Sequence, residues 1–182
     1  MNGVRLLDRL VPFGEAEAID WDAAYREELP RVYNFHRFRV FDHATAEDLT
    51  SLTFEKAWRA RRRYRKSRAS VSTWLIAIAR NVATDHFRRR RDEVPLEGAD
   101  AVDSATPEGE ALRRSELRRL DVLVRALPDR ERELIALKYG AELTNRAMAK
   151  LTGLSESNVG TILHRTVASL RAAWEEEDDR ER

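Results

Sequence analysis

The chain reads as an all-α protein, two small helical domains joined by an acidic linker. Three observations carry that prediction. Glycine and proline are scarce, 7 and 5 in 182 residues, and β-branched runs are short, a balance that favours helix over sheet. Apolar residues recur at helical spacing over residues 21–40, 46–62 and 72–91, and again beyond residue 128. Between these halves, residues 92–112 hold Asp92, Glu93, Glu97, Asp100, Asp103, Glu108 and Glu110 and no base. The same segment carries Pro95, Gly98, Pro107 and Gly109 and lacks an apolar stripe, the signature of an exposed linker, with a long surface loop inside a single domain as the alternative. With 36% charged and 8% aromatic residues, the composition predicts two small cores rather than one thick one. The expected divisions are an N-terminal extension (1–20), a first domain (21–91), the linker (92–112), a second domain (113–174) and an acidic tail (175–182).

Composition also excludes whole classes of function. With no cysteine there are no disulfides and no thiolate metal sites, which fits a reducing compartment. Residues 1–13 lack a continuous apolar core followed by a small-residue cleavage site, so no signal peptide is expected. Nothing approaches the roughly 18 apolar residues of a membrane span. The expectation is a cytoplasmic protein without membrane insertion. His36, His43, His86 and His164 are scattered, with no paired-histidine metal spacing. Asp85 and His86 are helical neighbours about 100° apart, which suits neither a metal site nor a triad. No glycine-rich phosphate loop appears, so neither enzyme activity nor a cofactor is expected.

In the first domain the clearest helix is 72–91. Leu75, Ile78, Ala79, Val82 and Ala83 share one arc and predict the core face. Arg80, Thr84, Arg88 and Arg91 lie on the opposite arc, with Asn81 beside them and Trp74 at the border. This helix ends a basic block that begins at Arg59 and includes Arg61, Arg62, Arg63, Arg65, Lys66 and Arg68, with Asp85 as its one acid. The whole chain carries only +1, so the block is a local concentration. Tyr64 and Trp74 stand among these cations. Cations hold phosphates and flat rings stack on unpaired bases, so the block points to a nucleic acid strand. A merely solvated arginine face is the plainer alternative, and the run beginning at Arg59 weighs against it. Trp58 is expected to be a core anchor, and Tyr64, in a loop, is the better candidate for contact with DNA, with cation–π packing inside the loop as the alternative.

In the second half, Leu127-Pro128-Asp129 opens a helix with Leu134, Ile135 and Leu137 that closes near Gly140. Thr144 is placed to cap a short helix with Ala147, Met148 and Leu151, and Ser155 to cap a longer one with Val159, Ile162, Leu163, Val167 and Leu170. Ala149, Gly153 and Val159 have helix-turn-helix spacing: the alanine admits close approach, the glycine the sharp turn, and the valine fills the angle. The tail from Glu175 reads as a solvated run with no specific role.

Together these residues resemble a bacterial sigma factor of the sigma-70 family, in the extracytoplasmic-function (ECF) group. The first half carries the resemblance through Ala46-Glu47-Asp48-Leu49, Thr53-Phe54, Ala57-Trp58-Arg59, Trp74-Leu75, Ile78-Ala79-Arg80-Asn81, Asp85 and the arginines 88–91. The second half carries it through Leu127-Pro128, Arg130-Glu131-Arg132-Glu133, Ala149, Gly153-Leu154-Ser155, Val159, Leu163-His164-Arg165 and Leu170-Arg171. It covers about residues 25–173.

The resemblance implies a sigma region 2 bundle followed by a region 4 helix-turn-helix. Its implied partners are core RNA polymerase and promoter DNA, with an anti-sigma factor as a third that many members of the group have. Region 2 would meet the polymerase clamp through Asp48, Ser51, Leu52, Glu55 and Arg59. It would capture the unpaired −10 strand through Tyr64, Arg65, Lys66, Arg68, Trp74, Arg80, Asn81 and Arg88. Region 4 would read the −35 duplex through Ser155, Ser157, Asn158, Thr161, His164 and Arg165. The linker would pass near the polymerase's nucleic acid channel, its negative charge standing in for RNA. Ser51 and Leu52 stand where the family usually has a glutamine and an acid, which implies a weaker or altered polymerase contact. Gly160 and Ile162 replace a common lysine and arginine, which implies an unusual or weakly read −35 sequence, with Ile162 turned to the core. The alternative is a helix-turn-helix regulator that does not bind core polymerase. It accounts for the second half and leaves residues 46–91 without a purpose.

Overall fold

A computed structural model describes residues 20–92 and 108–180, and among them every regular element is helical. The expected N-terminal extension apart from Asp20, most of the expected linker and the side chain of Arg91 lie outside the described residues. The first helix, α1 (Trp21–Val40), is capped by Asp20, whose Oδ1 accepts from the amides of Asp22 and Ala23 at 3.1 and 3.0 Å. It ends at Phe41, which takes the left-handed conformation at φ 56°. Helix α2 (His43–Ala60) is capped by Asp42, which accepts from Thr45 at 2.7 Å, and runs into a single 3-10 turn (Arg61–Arg63). Helix α3 (Val71–Asp92) follows, with Ser70 Oγ accepting from the amide of Thr73 at 3.2 Å.

These three helices pack around Val32, Phe35, Ala57, Leu75, Ile76, Ala79 and Ala83. Of the predicted α3 core face, Leu75, Ala79, Val82 and Ala83 are buried, whereas Ile78 is only partly so and Ile76 is fully buried. Helix α3 packs on both α1 and α2, so its buried face is wider than one arc. Deep in this bundle His36 Nε2 lies 2.9 Å from Thr53 Oγ1. The Thr53 hydroxyl donates to the Leu49 carbonyl at 2.7 Å, which assigns the imidazole proton to Nε2. Burial, then the neighbouring His86 and Arg39, push the His36 pKa down to about 3.

In the second half, α4 (Glu108–Arg125) starts inside the expected linker, five residues before the expected start of the second domain. Pro128 precedes α5 (Asp129–Ile135), which widens into a π-helical turn (Ala136–Gly140). Helix α6 (Asn145–Thr152) is capped as predicted by Thr144, which accepts from Ala147 at 3.2 Å. Gly153 turns at φ 74°, and Ser155 accepts from Asn158 at 3.1 Å to start α7 (Glu156–Arg180). The tail is not an idle solvated run. Arg119 of α4 pairs with Glu177 at 2.7 Å and Asp178 at 3.0 Å, and its guanidinium lies 4.2 Å over the Trp174 ring. These contacts hold the acidic end of α7 in helix against α4.

The two halves also pack on each other, which the sequence did not predict. Helix α1 lies against the π turn and α5, and one hydrophobic cluster runs from Phe35 through Leu134, Ile135, Leu137 and Ala141 to Met148 and Val159. A side chain at Gly140 would place its Cβ 2.9 Å from the backbone C and O of Asn34, so the approach of the two backbones admits only glycine. Small units bury too little apolar surface alone, and sharing a core offsets that deficit.

Candidate nucleic-acid interface

Spacing of three and four residues places Asp48, Ser51, Glu55 and Arg59 on one exposed face of α2, with Leu52 half-buried beside them. The opposite face buries Ala46, Leu49, Thr50, Thr53 and Ala57. Glu55 and Arg59 pair with each other at 2.5 Å. Trp58 is a correction: it is 50% exposed rather than a core anchor, because Ala57 takes the inward position. Its ring meets Trp21 edge-on at 5.6 Å and carries the Arg61 guanidinium at 4.1 Å.

Between α2 and α3 the basic loop stands on an aromatic support. Tyr64 does not face outward as expected. It is buried, its hydroxyl donates to the Ala69 carbonyl at 3.0 Å, and its ring lies 5.3 Å from Trp74. A ring with an apolar body and one polar tip can fasten a short loop from within, and sequence alone cannot tell that role from stacking on DNA. Around it Arg65, Lys66, Ser67 and Arg68 are exposed. Arg65 Nη1 donates to the carbonyls of Arg62 and Tyr64 at 2.8 and 2.9 Å, which ties this cation to the loop's own backbone. Trp74, partly buried, bridges Tyr64 and Trp21, so that Trp58, Trp21, Trp74 and Tyr64 form a continuous aromatic row. Trp21 and Trp58 were missed as members of this row; Trp58 adjoins the cations in sequence, whereas Trp21, between Asp20 and Asp22, gives no local signal.

Along α3, Asn81 and Arg88 are exposed, and Arg88 pairs with Asp85 at 3.1 Å. Arg80 is a second correction. Its Nε donates to Glu133 at 2.6 Å and its Nη1 to the Leu151 carbonyl at 2.5 Å, so it is turned toward the second half rather than presented with the other cations.

On α7, Ser155, Ser157, Asn158, Thr161, His164 and Arg165 are all exposed along the first turns, while Val159, Leu163 and Thr166 face inward. Ile162 is partly buried against the core, as expected. The Thr161 hydroxyl donates back to the Ser157 carbonyl at 3.0 Å, which leaves Asn158, His164 and Arg165 as the longer polar groups on this face. Gly160 lies next to Asn145 of α6, and Lys138 Nζ donates to Asn145 Oδ1 at 3.1 Å. Lys138 and Asn145 thus adjoin this outer face of α7, and neither was singled out in the sequence. Among the described residues no group of three or more histidines and carboxylates could hold a metal ion. Among them, too, no helix is long and apolar enough to cross a membrane.

Comparison with known proteins follows the same division. The family model described as Sigma-70 region 2 matches residues 24–93, and that described as Sigma-70, region 4 matches residues 117–170. The ECF RNA polymerase sigma factor RpoE of Cereibacter sphaeroides is 32% identical over 137 residues, 75% of this chain and 74% of that protein. The chain belongs to the sigma-70 family, in its ECF group. A second ECF sigma factor, BldN of Streptomyces coelicolor, is 30% identical over 161 residues, and the chain spans 60% of BldN's length. Among solved structures, the sigma factor RpoE of Bartonella quintana, determined with the anti-sigma factor NepR, superimposes with a TM-score of 0.70. That match has 20% identity, covers 86% of this chain and 97% of the other, and shows a shared fold. In family terms α1–α3 form region 2, and α4–α7 form the region 4 half.

Proposed function

We propose that this sigma factor binds core RNA polymerase and gives it promoter specificity, capturing the melted −10 strand with region 2 and reading the −35 duplex with region 4. The observation that carries the reading is the exposed basic loop 65–68 standing on the row of Trp58, Trp21, Trp74 and Tyr64. A melted strand offers base faces and phosphates together. Base–aromatic stacking contributes about 1–3 kcal/mol per base, enough to offset the few kcal/mol of extruding one. Lys66 and Arg68 would hold phosphates, Trp74 and Asn81 would meet bases, and Arg88 would follow the strand along α3. Tyr64 serves as the post that sets the loop's height. The duplex is read separately, with Asn158, His164 and Arg165 entering the major groove and the Ser155 end of α7 leading.

The polymerase contact is assigned to the α2 face of Asp48, Ser51, Leu52, Glu55 and Arg59. The neutral Ser51 and half-buried Leu52 give that face less charge than the family pattern, and the exposed Trp58 beside it adds apolar contact area. No catalytic step is assigned to the chain, and bond formation belongs to the polymerase. The test is co-elution of the full chain with bacterial core polymerase, followed by run-off transcription on a fragment library. New start sites sharing two upstream elements are expected. Tight duplex binding with no polymerase association would overturn the proposal in favour of a stand-alone regulator.

A further inference from the structure

We propose that a two-part cleft along α7 is a binding site for a free single-chain amphiphile with an anionic head, a medium-chain carboxylate in its simplest form. The apolar part has a volume of about 510 Å³ and lies among α4, α5, the π turn and α7, with Phe38 contributed by α1. Small-molecule sites have volumes of roughly 300–1,000 Å³. Val124 and Ile135 are its buried members, Leu120 and Tyr139 are 36% and 54% exposed, and Leu170 and Trp174 complete it. Large apolar side chains left open around a concave surface mark a place that a ligand covers.

The second part of the cleft is polar and cationic. A cavity of about 330 Å³ adjoins the first and shares Tyr139, Val167 and Arg171 with it. Lys138, Asn145 and His164 supply its other polar groups, and among the described residues no carboxylate lines it. Lys138 gives one proton to Asn145 Oδ1 at 3.1 Å, which leaves two for a ligand. Arg171 is exposed, and among the described residues it has no hydrogen-bond or ion-pair partner.

Order along α7 orients the ligand. Gly160 to Arg171 border the polar part, and Val167 to Glu175 border the apolar part. At 1.5 Å per residue the apolar stretch is about 12 Å long, which suits a medium acyl chain rather than a long one. Glu175 is the one acid on the cleft and stands a turn beyond Arg171, at the end away from His164, where it repels an anionic head. At the other end the Arg171 fork can take both oxygens of a carboxylate, with Lys138 as a second charge. Burial of the tail supplies affinity whatever the head, so discrimination between heads of opposite charge is the signature of the site. Leu120, Lys138 and Arg171 belong to none of the surfaces assigned to DNA or polymerase, and the site goes beyond the proposed function.

The test titrates the full chain with decanoate below its micellar concentration, and with decylammonium as the chain-matched control, by calorimetry and tryptophan emission. Saturable one-to-one binding is expected, at least tenfold tighter for decanoate than for decylammonium. Arg171→Glu should weaken decanoate at least tenfold, and Leu120→Gln should weaken both amphiphiles alike. Trp174→Phe should remove the emission change and keep the calorimetric binding. Circular dichroism identifies a misfolded variant, in which case the selectivity of the wild type decides. Absence of saturable binding, equal affinity for the two heads, or Arg171→Glu within twofold of wild type would overturn the proposal. Binding to phosphatidylglycerol vesicles without binding of free decanoate would overturn it in favour of a membrane surface. Sedimentation as a dimer that excludes decanoate would overturn it in favour of a second copy of the chain. None of these measurements uses polymerase or promoter, so their outcome is separate from that of the run-off transcription test.

Discussion

Tyr64 and Trp74 meet at 5.3 Å beneath the basic loop, and the tyrosine hydroxyl closes the loop by donating to the Ala69 carbonyl at 3.0 Å. The ring and the hydroxyl make separable contributions. Tyr64→Phe keeps the ring and is expected to cost about 1 kcal/mol, the net value of one hydrogen bond. Tyr64→Ala also leaves a cavity against Trp74 and is expected to cost about 3 kcal/mol or more. Urea denaturation of both variants checks this, and equal losses would count against a supporting role for the ring.

Acid should destabilise region 2 through His36. Its folded pKa lies near 3, below its ordinary value of 6.5. Between those values the unfolded chain binds a proton that the folded chain refuses, so stability falls as pH drops below about 6.5. The contribution approaches about 1.4 kcal/mol per pH unit before levelling off near the folded pKa. Carboxylates such as Asp42, held low by its hydrogen bonds to Thr45, add their own loss at lower pH. Stabilities of wild type and His36→Gln at pH 7, 6 and 5 separate the two sources, and parallel profiles would rule out the histidine.

Local chemistry was legible in the sequence where its effect is local. The caps at Thr144 and Ser155, the left-handed Gly153 and the full extent of α1 follow from residues within a few positions of each feature. What escaped was partnership at a distance. Helical periodicity marks Arg80 as lying off the core arc, but nothing near it signals Glu133, 53 residues on. Arg119 likewise gives no local hint of Glu177, and so the tail looked idle. Trp58 and Tyr64 exchanged their expected roles because an aromatic at the edge of an apolar arc can turn either way. The choice depends on whether a small neighbour such as Ala57 takes the inward position. The outer face of α7 was read correctly as exposed because Val159 and Leu163 fix the inward side of the helix.

Restoring the missing charge on the recognition helix should strengthen duplex binding. A Cβ at Gly160 would meet only Asn145 Nδ2, at 3.6 Å, so a longer side chain can be accommodated there. Gly160→Lys is expected to remove about 1 kcal/mol of helix penalty and to raise promoter-duplex affinity. The slope of log affinity against log salt should steepen by about 1, one added phosphate contact. Filter binding across a salt series gives both values. An unchanged slope would place position 160 away from the phosphates.

Arg119 should govern the end of α7. It joins Glu177 and Asp178 to α4 and covers Trp174. Arg119→Ala is expected to accelerate amide exchange across residues 172–180 while leaving exchange in α6 unchanged. Hydrogen exchange with peptide-level mass spectrometry distinguishes this from a general loosening of region 4.

The placement of the tryptophans makes the protein its own optical probe. Trp21, Trp58 and Trp74 are neighbours beside the basic loop, at the proposed strand-binding surface, while Trp174 sits apart on α7 beneath Arg119. Intrinsic emission is therefore a sum of two independent signals. Stacked bases would quench the cluster of three, while the tail's own unwinding would change only the fourth. Trp174→Phe would leave a chain whose tryptophan emission comes from the cluster of three alone, a dye-free report on whatever covers that surface.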